Sequence, residues 1–244
     1  MATTYRVLDT EVAVPMTVDE AVGGLTITAG DADAIDAALP DDLAPIRLPG
    51  GRGIVLLLAV DYVDNPLGSY DEVVVGLAAR PVGMRGGPVV GLGDVLRGRV
   101  GVWIEHMAVS EAFTREAGQT IWGYPKTLDE LSIDHAGRRA TSTWARDGRT
   151  ILELSQPTRG FLPAPGLPVT TYTRIDGRTM RTSLRARARG VGLSVSGVRT
   201  ELGDHPVADE LATLGIGRRP LAAAWLSSMT MEFGTATPLT GDLT

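Results

Sequence analysis

Apolar residues in this 244-residue chain fall mostly into short runs and period-two alternations, and helical spacing is confined to a few brief stretches. Ile54 to Val60 is an unbroken apolar run of strand length. It predicts a buried strand, with Val73 to Ala79 as its partner and Asp64-Asn65-Pro66-Leu67-Gly68 as the loop between them. Arg99 to Val109 alternates well. Val100, Val102, Ile104, His106 and Ala108 share one face, and Gly101, Trp103, Glu105, Met107 and Val109 the other.

Asp147-Gly148 and Asp176-Gly177, each flanked by strand-like stretches, predict tight hairpins. Val191, Leu193 and Val195 continue a period of two, and Leu221 to Phe233 reads as a last strand with an irregular start. Three short helices are expected. One runs from an Asp31 cap to Leu39, stopped by Pro40. A second runs from a Ser110 cap through Ala117, with Gly118 as terminator and Gln119 to Lys126 leading on to the next strand. A third is opened by Asp204 and Pro206, runs through Leu214 and is closed by Gly215. The Pro-rich stretch Phe161 to Pro168 reads as a loop. Sequential hairpins without a βα alternation predict an α+β fold, mainly antiparallel β, as a barrel-like or cone-like sheet with a few short helices in a single domain over residues 1–244.

Composition narrows the function classes. A net charge of −6 without a dense basic block argues against nucleic acid as a partner. The most basic stretch, Arg181 to Arg189, alternates at strand spacing and reads as a solvated face, with an anion-binding edge as the alternative. With no cysteine there is no disulfide, thiolate chemistry or Cys-based zinc site. Met1 to Glu20 lacks the pattern of a signal peptide, and the longest apolar run is far too short to span a bilayer, so no membrane partner and a cytoplasmic location are expected. Gly50-Gly51-Arg52-Gly53 and Gly91-Leu92-Gly93 lack the spacing of phosphate or dinucleotide loops and read as turns. The three histidines form no pair at metal-ligand spacing, and Gly-x-Ser-x-Gly is absent, so neither a metal nor a cofactor is expected.

One residue stands apart. Of the 23 Lys and Arg residues, Lys126 is the single lysine. A lysine amine can shed its proton and attack a carbonyl, which a guanidinium cannot do. Its approach, Ile121-Trp122-Gly123-Tyr124-Pro125, is mostly apolar and would desolvate the amine, disfavouring its charged form. An arginine-heavy composition that happens to leave one lysine is the competing reading.

The segment Glu105 to Leu128, with its Gly118-Gln119 turn and Ile121-Trp122-Gly123-Tyr124-Pro125-Lys126 end, resembles the acetoacetate decarboxylase superfamily. In that family a Gly-Arg-Glu turn precedes a Gly/Ala-Tyr/Phe-Pro-Lys-Lys segment whose first lysine forms the Schiff base. The resemblance implies that role for Lys126. Leu67-Gly68-Ser69-Tyr70-Asp71-Glu72 resembles a family segment ending in an active-site glutamate, which places Glu72 in the pocket as candidate general acid/base. The helix near Pro206 and the strand after Pro220 also fit, so the likeness spans roughly residues 20 to 235. It implies the family's β-cone/barrel and a homo-oligomer.

Departures accompany the match. Thr127 stands at the second lysine, Gln119 and Thr120 at the arginine and glutamate of the turn, Leu57 at a second pocket glutamate, and Ala21 at an arginine that holds the substrate carboxylate. Acetoacetate decarboxylase is itself the standing example of a lysine activated by burial or a cationic neighbour. Here that neighbour is gone, and burial against Trp122, Tyr124 and Met107 would have to suffice. Without the arginines the grip on a β-keto acid carboxylate is weaker.

The expected function is a Schiff-base-forming lyase acting on a keto acid or related carbonyl compound, by decarboxylation or by aldol, dehydration or cyclisation chemistry. Lys126 and Glu72 would be catalytic, and Gln119, Tyr124, Trp122, Glu105 and Met107 would line the substrate site. A solvated strand edge for Glu72 and a core position for Tyr124 are the alternatives for those residues. A non-catalytic ligand-binding or assembly member of the same fold is the alternative for the whole.

Overall fold

The computed structural model describes residues 2–84, 101–216 and 220–239. Gly91-Leu92-Gly93 and the start of the alternating stretch at Arg99 and Val100 lie outside them. Seven strands close into a barrel: β3 (Met16–Asp31), β5 (Arg52–Asp64), β6 (Tyr70–Pro81), β7 (Gly101–Val109), β12 (Leu162–Ile175), β13 (Arg178–Ser194) and β15 (Pro220–Phe233). They pair in the order β6-β5-β3-β15-β13-β12-β7, and β7 pairs back onto β6. Every junction is antiparallel except β7 with β12. Short β4 (Leu43–Pro45) extends the sheet beside β6, β8 (Lys126–Leu128) lies parallel to β7, and β16 (Thr237–Pro238) pairs with β13.

A second sheet, ordered β14-β11-β10-β9, covers one outer wall. Its strands are β9 (Glu130–Asp134), β10 (Arg139–Arg146), β11 (Arg149–Pro157) and β14 (Arg199–Leu202). This layering explains the unbroken apolar run of β5. Leu56, Leu58 and Val60 face the lumen, while Val55, Leu57 and Ala59 pack outward with Trp144, Ile151, Leu152 and Leu154. A strand covered on both sides has no polar face to show.

The helices among the described residues are α1 (Ala32–Ala38), α2 (Ala112–Trp122) and α3 (Pro206–Thr213). Asp31 caps α1 by accepting from the backbone N–H groups of Asp33 and Ala34. Helix α3 is capped by His205, whose Nδ1 accepts from Val207 N, and not by Asp204. An N-terminal hairpin of β1 (Thr3–Val7) and β2 (Thr10–Val14) buries Val7, Val12 and Val14 in the core that includes Tyr62, Leu67 and Tyr70. Among the described residues no helix is long and apolar enough to cross a membrane.

Both Asp-Gly pairs turn hairpins, β10–β11 and β12–β13, with positive φ at Asp147, Gly148, Asp176 and Gly177. Arg181, Arg185, Arg187 and Arg189 stand exposed along β13.

Three further expectations are corrected. The Pro-rich stretch from Leu162 is the start of β12 and no loop. Its pairing with β13 shifts register between Leu162 and Ala164 and again between Ala164 and Leu167, which is how a strand carries prolines that cannot donate to a ladder.

The second correction concerns β7, where Val75 opposes His106 but Gly76 opposes Ile104, leaving Glu105 as the extra residue of a β-bulge. Beyond the bulge the parity inverts. Val102, Ile104 and Met107 face the lumen, whereas Trp103 and Ala108 pack on the outer side. Strict alternation had put Met107 on the face of Trp103.

The third concerns α2, which does not end at Gly118. It continues to Trp122 and stops at Gly123, in the left-handed region at φ 65°, with Gly123 N–H bonded to Gln119 O and Tyr124 N–H to Gly118 O. Ser110 does not cap it; its Oγ accepts from Asp71 N instead.

Candidate active site

Lys126 owes its position to that delayed helix stop. Gly123 reverses the chain, Tyr124 and Pro125 carry it across the barrel end, and Lys126 joins β8 opposite Met107. The lysine stem then runs over Gly118. A Cβ at that position would stand 2.5 Å from Lys126 Cδ and 2.6 Å from Cε, so a glycine inside the helix makes room for the side chain. Gln119, on the next helical position, donates from Nε2 to the Lys126 carbonyl at 2.8 Å. It holds the lysine's backbone and does not face its amine.

The amine enters the lumen and meets Glu72 from β6, with Nζ to Oε2 at 2.8 Å and relative exposures of 5% and 4% for the two residues. The second carboxylate oxygen, Oε1, accepts from the Tyr62 hydroxyl at 3.1 Å. Tyr62 and Tyr70 are cross-strand partners and stack with centroids 4.4 Å apart, and the Tyr70 ring lies 5.1 Å from Nζ, a cation–π distance. Burial, then the neighbouring Glu72 charge, pushes the Tyr62 and Tyr70 hydroxyls well above the ordinary phenol range. Burial also raises Tyr124. All three therefore stay protonated near neutrality and serve as hydrogen-bond partners and not as charges.

Around this cluster lies a cavity of about 250 Å³ to which all seven barrel strands contribute. Its walls are almost wholly hydrocarbon. Among the described residues Lys126 and Glu72 are the only ionisable groups on them apart from tyrosine, and none of those lining residues is an arginine. Trp122, Tyr124 and Met107 line it. The Tyr124 hydroxyl is engaged with Thr171 Oγ1 at 3.1 Å, and the Trp122 indole donates to Gly234 O at 2.8 Å.

Glu105 is placed elsewhere. Its carboxylate accepts from Trp103 Nε1 at 2.8 Å and, with Gln119 and Arg174, lines a separate depression that shares Ile104 and Tyr124 with the first. The bulge that turned Met107 inward thus kept Glu105 out of the lumen.

The positions that depart from the family pattern are explained locally. Thr127 faces away from the cavity and donates to Asp129 Oδ2 at 2.7 Å. Asp129 also accepts from Arg146 and from the Trp144 indole, contacts that hold its carboxyl below the usual range despite burial. Ala21 opposes Tyr62 at the polar end of the cavity. Leu57 lies in the outer core and not in the cavity, where its neighbours Leu56 and Leu58 stand. Leu57, which the resemblance sets at a pocket glutamate, therefore points out of the lumen in this chain.

Tyr62, Tyr70 and Thr171 were not among the residues expected at the site. Tyr62 carried one usable signal, since it continues the lumen-facing parity of Leu56, Leu58 and Val60 beyond the end of the apolar run. Among the described residues no group of three or more His, Asp or Glu side chains is placed to hold a metal ion.

Several solved structures share this architecture, among them the following three. An acetoacetate decarboxylase from Legionella pneumophila superposes with a TM-score of 0.68 at 15% identity, covering 94% of this chain and 89% of that one. The enduracididine biosynthesis enzyme MppR, solved in complex with pyruvate, gives 0.64 at 15% identity, with 93% and 91% covered. An acetoacetate decarboxylase-like enzyme from Sphingomonas wittichii gives 0.60 at 16% identity, with 93% and 94% covered. No curated protein sequence matches the chain significantly. The acetoacetate decarboxylase family model matches residues 25–240, which span most of the barrel, and the chain belongs to that family.

Proposed function

We propose that the protein is a Schiff-base-forming lyase in which Lys126 is the nucleophile and Glu72 the general acid/base, acting on a small-molecule carbonyl compound. The observation that carries this reading is the 2.8 Å contact between a buried amine and a buried carboxylate inside an otherwise hydrocarbon cavity. Two charges taken out of water cost several kcal/mol each unless they are paired, so an ion pair buried inside an otherwise apolar lumen is not explained by stability alone. Proton transfer along the contact leaves a neutral amine and a carboxylic acid, which is the pair that imine formation needs.

The amine lone pair attacks the carbonyl carbon, and the N–H proton passes to the oxygen to give a carbinolamine. Glu72 then protonates that hydroxyl, which departs as water. The products are an iminium on Lys126 and a Glu72 carboxylate beside it to balance the charge. For a β-keto acid the carbon–carboxyl bond breaks and its electron pair flows into the iminium, giving carbon dioxide and an enamine. The Glu72 carboxylate relays a proton from a water molecule to the enamine carbon, and the hydroxide left behind adds to the regenerated iminium, so that the carbinolamine collapses to free ketone and neutral amine. Aldol cleavage or dehydration would pass through the same enamine. MppR, of the same fold, has been solved with pyruvate and with the condensation product of pyruvate and imidazole 4-carboxaldehyde, which supports a carbonyl compound as the substrate here.

A non-catalytic ligand-binding role is the second reading, favoured by the missing cationic neighbour at Thr127 and the missing arginines. Borohydride trapping separates the two. With one lysine in the chain, a keto acid panel can modify only Lys126 or the N-terminal amine. A mass increment on the Lys126 peptide, abolished in Lys126→Arg, is the expected result. Ligand binding without trapping, with affinity unchanged in Lys126→Arg, would establish the binding module instead.

A further inference from the structure

The lumen has a direction. On the β5–β6 wall the inward pairs run from Tyr62–Tyr70 through Val60–Glu72 and Leu58–Val74 to Leu56–Gly76. The last pair lies four residues beyond Glu72, about 13 Å along the strand at ~3.3 Å per residue. Past Glu72 that wall carries hydrocarbon or, at Gly76, no side chain. The facing walls are Met107, Ile104 and Val102 on β7, Leu184 and Ala186 on β13, and Leu226 on β15. The Thr171 hydroxyl is already engaged by Tyr124. Val102 covers Gly76 so closely that a Cβ there would stand 2.3 Å from Val102 Cγ1, so these two residues with Leu56 form the apolar end of the cavity.

We propose that the substrate carries an uncharged hydrocarbon tail that lies along this lumen, with its carbonyl at Lys126 and its tail end towards Leu56, Gly76 and Val102. The inference rests on the Schiff-base reading for the carbonyl end only. A second carboxylate or an ammonium on the tail would meet no charged partner among the described residues past Glu72, and neither Ala21 nor Gln119 offers one. Keto diacids and amino-bearing keto acids are therefore excluded, and medium-chain ketones or 3-oxo acids are the class that fits. A small keto acid such as acetoacetate would leave the apolar end unfilled.

The test uses unbranched 2-alkanones from acetone to 2-nonanone, with borohydride trapping on the full chain and calorimetric binding to Lys126→Met, which cannot form an imine. The half-saturating concentration is expected to fall about fourfold per methylene, as hydrocarbon burial requires, until the lumen is full. Leu56→Phe should move the optimum to a shorter chain and Val102→Ala to a longer one. Opposite shifts are a signature that simple destabilisation of the fold does not produce.

A flat dependence on chain length, with acetone trapped as well as 2-heptanone, overturns the tail assignment while leaving the Schiff base intact. Graded binding to Lys126→Met, with no trapping in the unaltered protein, supports the tail assignment and overturns the Schiff-base reading. A charged analogue such as a 2-oxo diacid binding as tightly as 2-heptanone also overturns the tail assignment.

Discussion

Gly118 lies beneath the aliphatic stem of Lys126, so close that a single added methyl would stand 2.5 Å from the lysine Cδ. In a helix interior alanine is worth about 1 kcal/mol over glycine, and here the site geometry overrides that preference. Gly118→Ala should therefore keep the fold, because the helical gain offsets part of the clash, yet displace the amine. A displacement of about 1 Å costs on the order of a hundredfold in a positioned reaction. Borohydride trapping rates, compared with thermal melts of the same variant, check this. Equal loss in both would point to unfolding, and unchanged trapping would remove Gly118 from the argument.

The Lys126–Glu72 pair should behave as a coupled unit. Lys126→Met leaves the Glu72 carboxylate buried opposite hydrocarbon, and Glu72→Gln leaves the amine without its counter-charge. Removing one partner of a buried pair costs about 3–5 kcal/mol, whereas replacing both is close to neutral. The double variant is thus expected to be more stable than either single one in urea unfolding. Additive losses would show that the two side chains do not share a desolvated contact.

Tyr62→Phe deletes the hydroxyl that donates to Glu72 Oε1 while keeping the stack on Tyr70. A hydrogen bond to a charged group is worth about 1.5–3 kcal/mol. The expected outcome is a stability loss of that order together with slower imine formation, read by stopped-flow with a chromogenic ketone. A Tyr62→Phe protein that forms imine at the original rate would relieve Tyr62 of any part in positioning Glu72.

Asp71 gives a pH dependence with a definite sign. It opposes Asp61 across the β5–β6 ladder, and burial, then that neighbouring carboxylate, pushes its carboxyl from 3.8 up to about 6 despite a backbone hydrogen bond with Ile133 and nearby His135. Between those values the folded protein holds a proton that the unfolded chain has released. Stability therefore falls as pH rises through that window and stays lower above it. Asp71→Asn abolishes this loss, so the variant should melt higher than the unaltered protein at pH 7, with the gap closing towards pH 4. A gap that widens on acidification would reverse the assignment.

The sequence by itself determined the features written in local chemistry: the two Asp-Gly hairpins, whose turn needs positive φ at both residues, the buried run of β5, the capped start of α1, and a lone lysine after an apolar Tyr-Pro segment, whereas Glu72 was reached only through the family resemblance. Each depends on the properties of neighbouring residues, so each could be read without knowing what lies across the barrel.

Tertiary structure alone decided the rest. The bulge at Glu105 inverts the parity of β7 and sends Met107 inward, because β6 fixes where the ladder must meet. Gly118 looked like a helix stop until the lysine stem, eight residues on, showed why a side chain is forbidden there. The partnership of Lys126, Glu72 and Tyr62 joins three strands, and the hydrocarbon lumen exists only because β7 pairs with both β6 and β12. Such long-range pairing is specified by the summed packing of both faces of each strand, and no window of consecutive residues contains it.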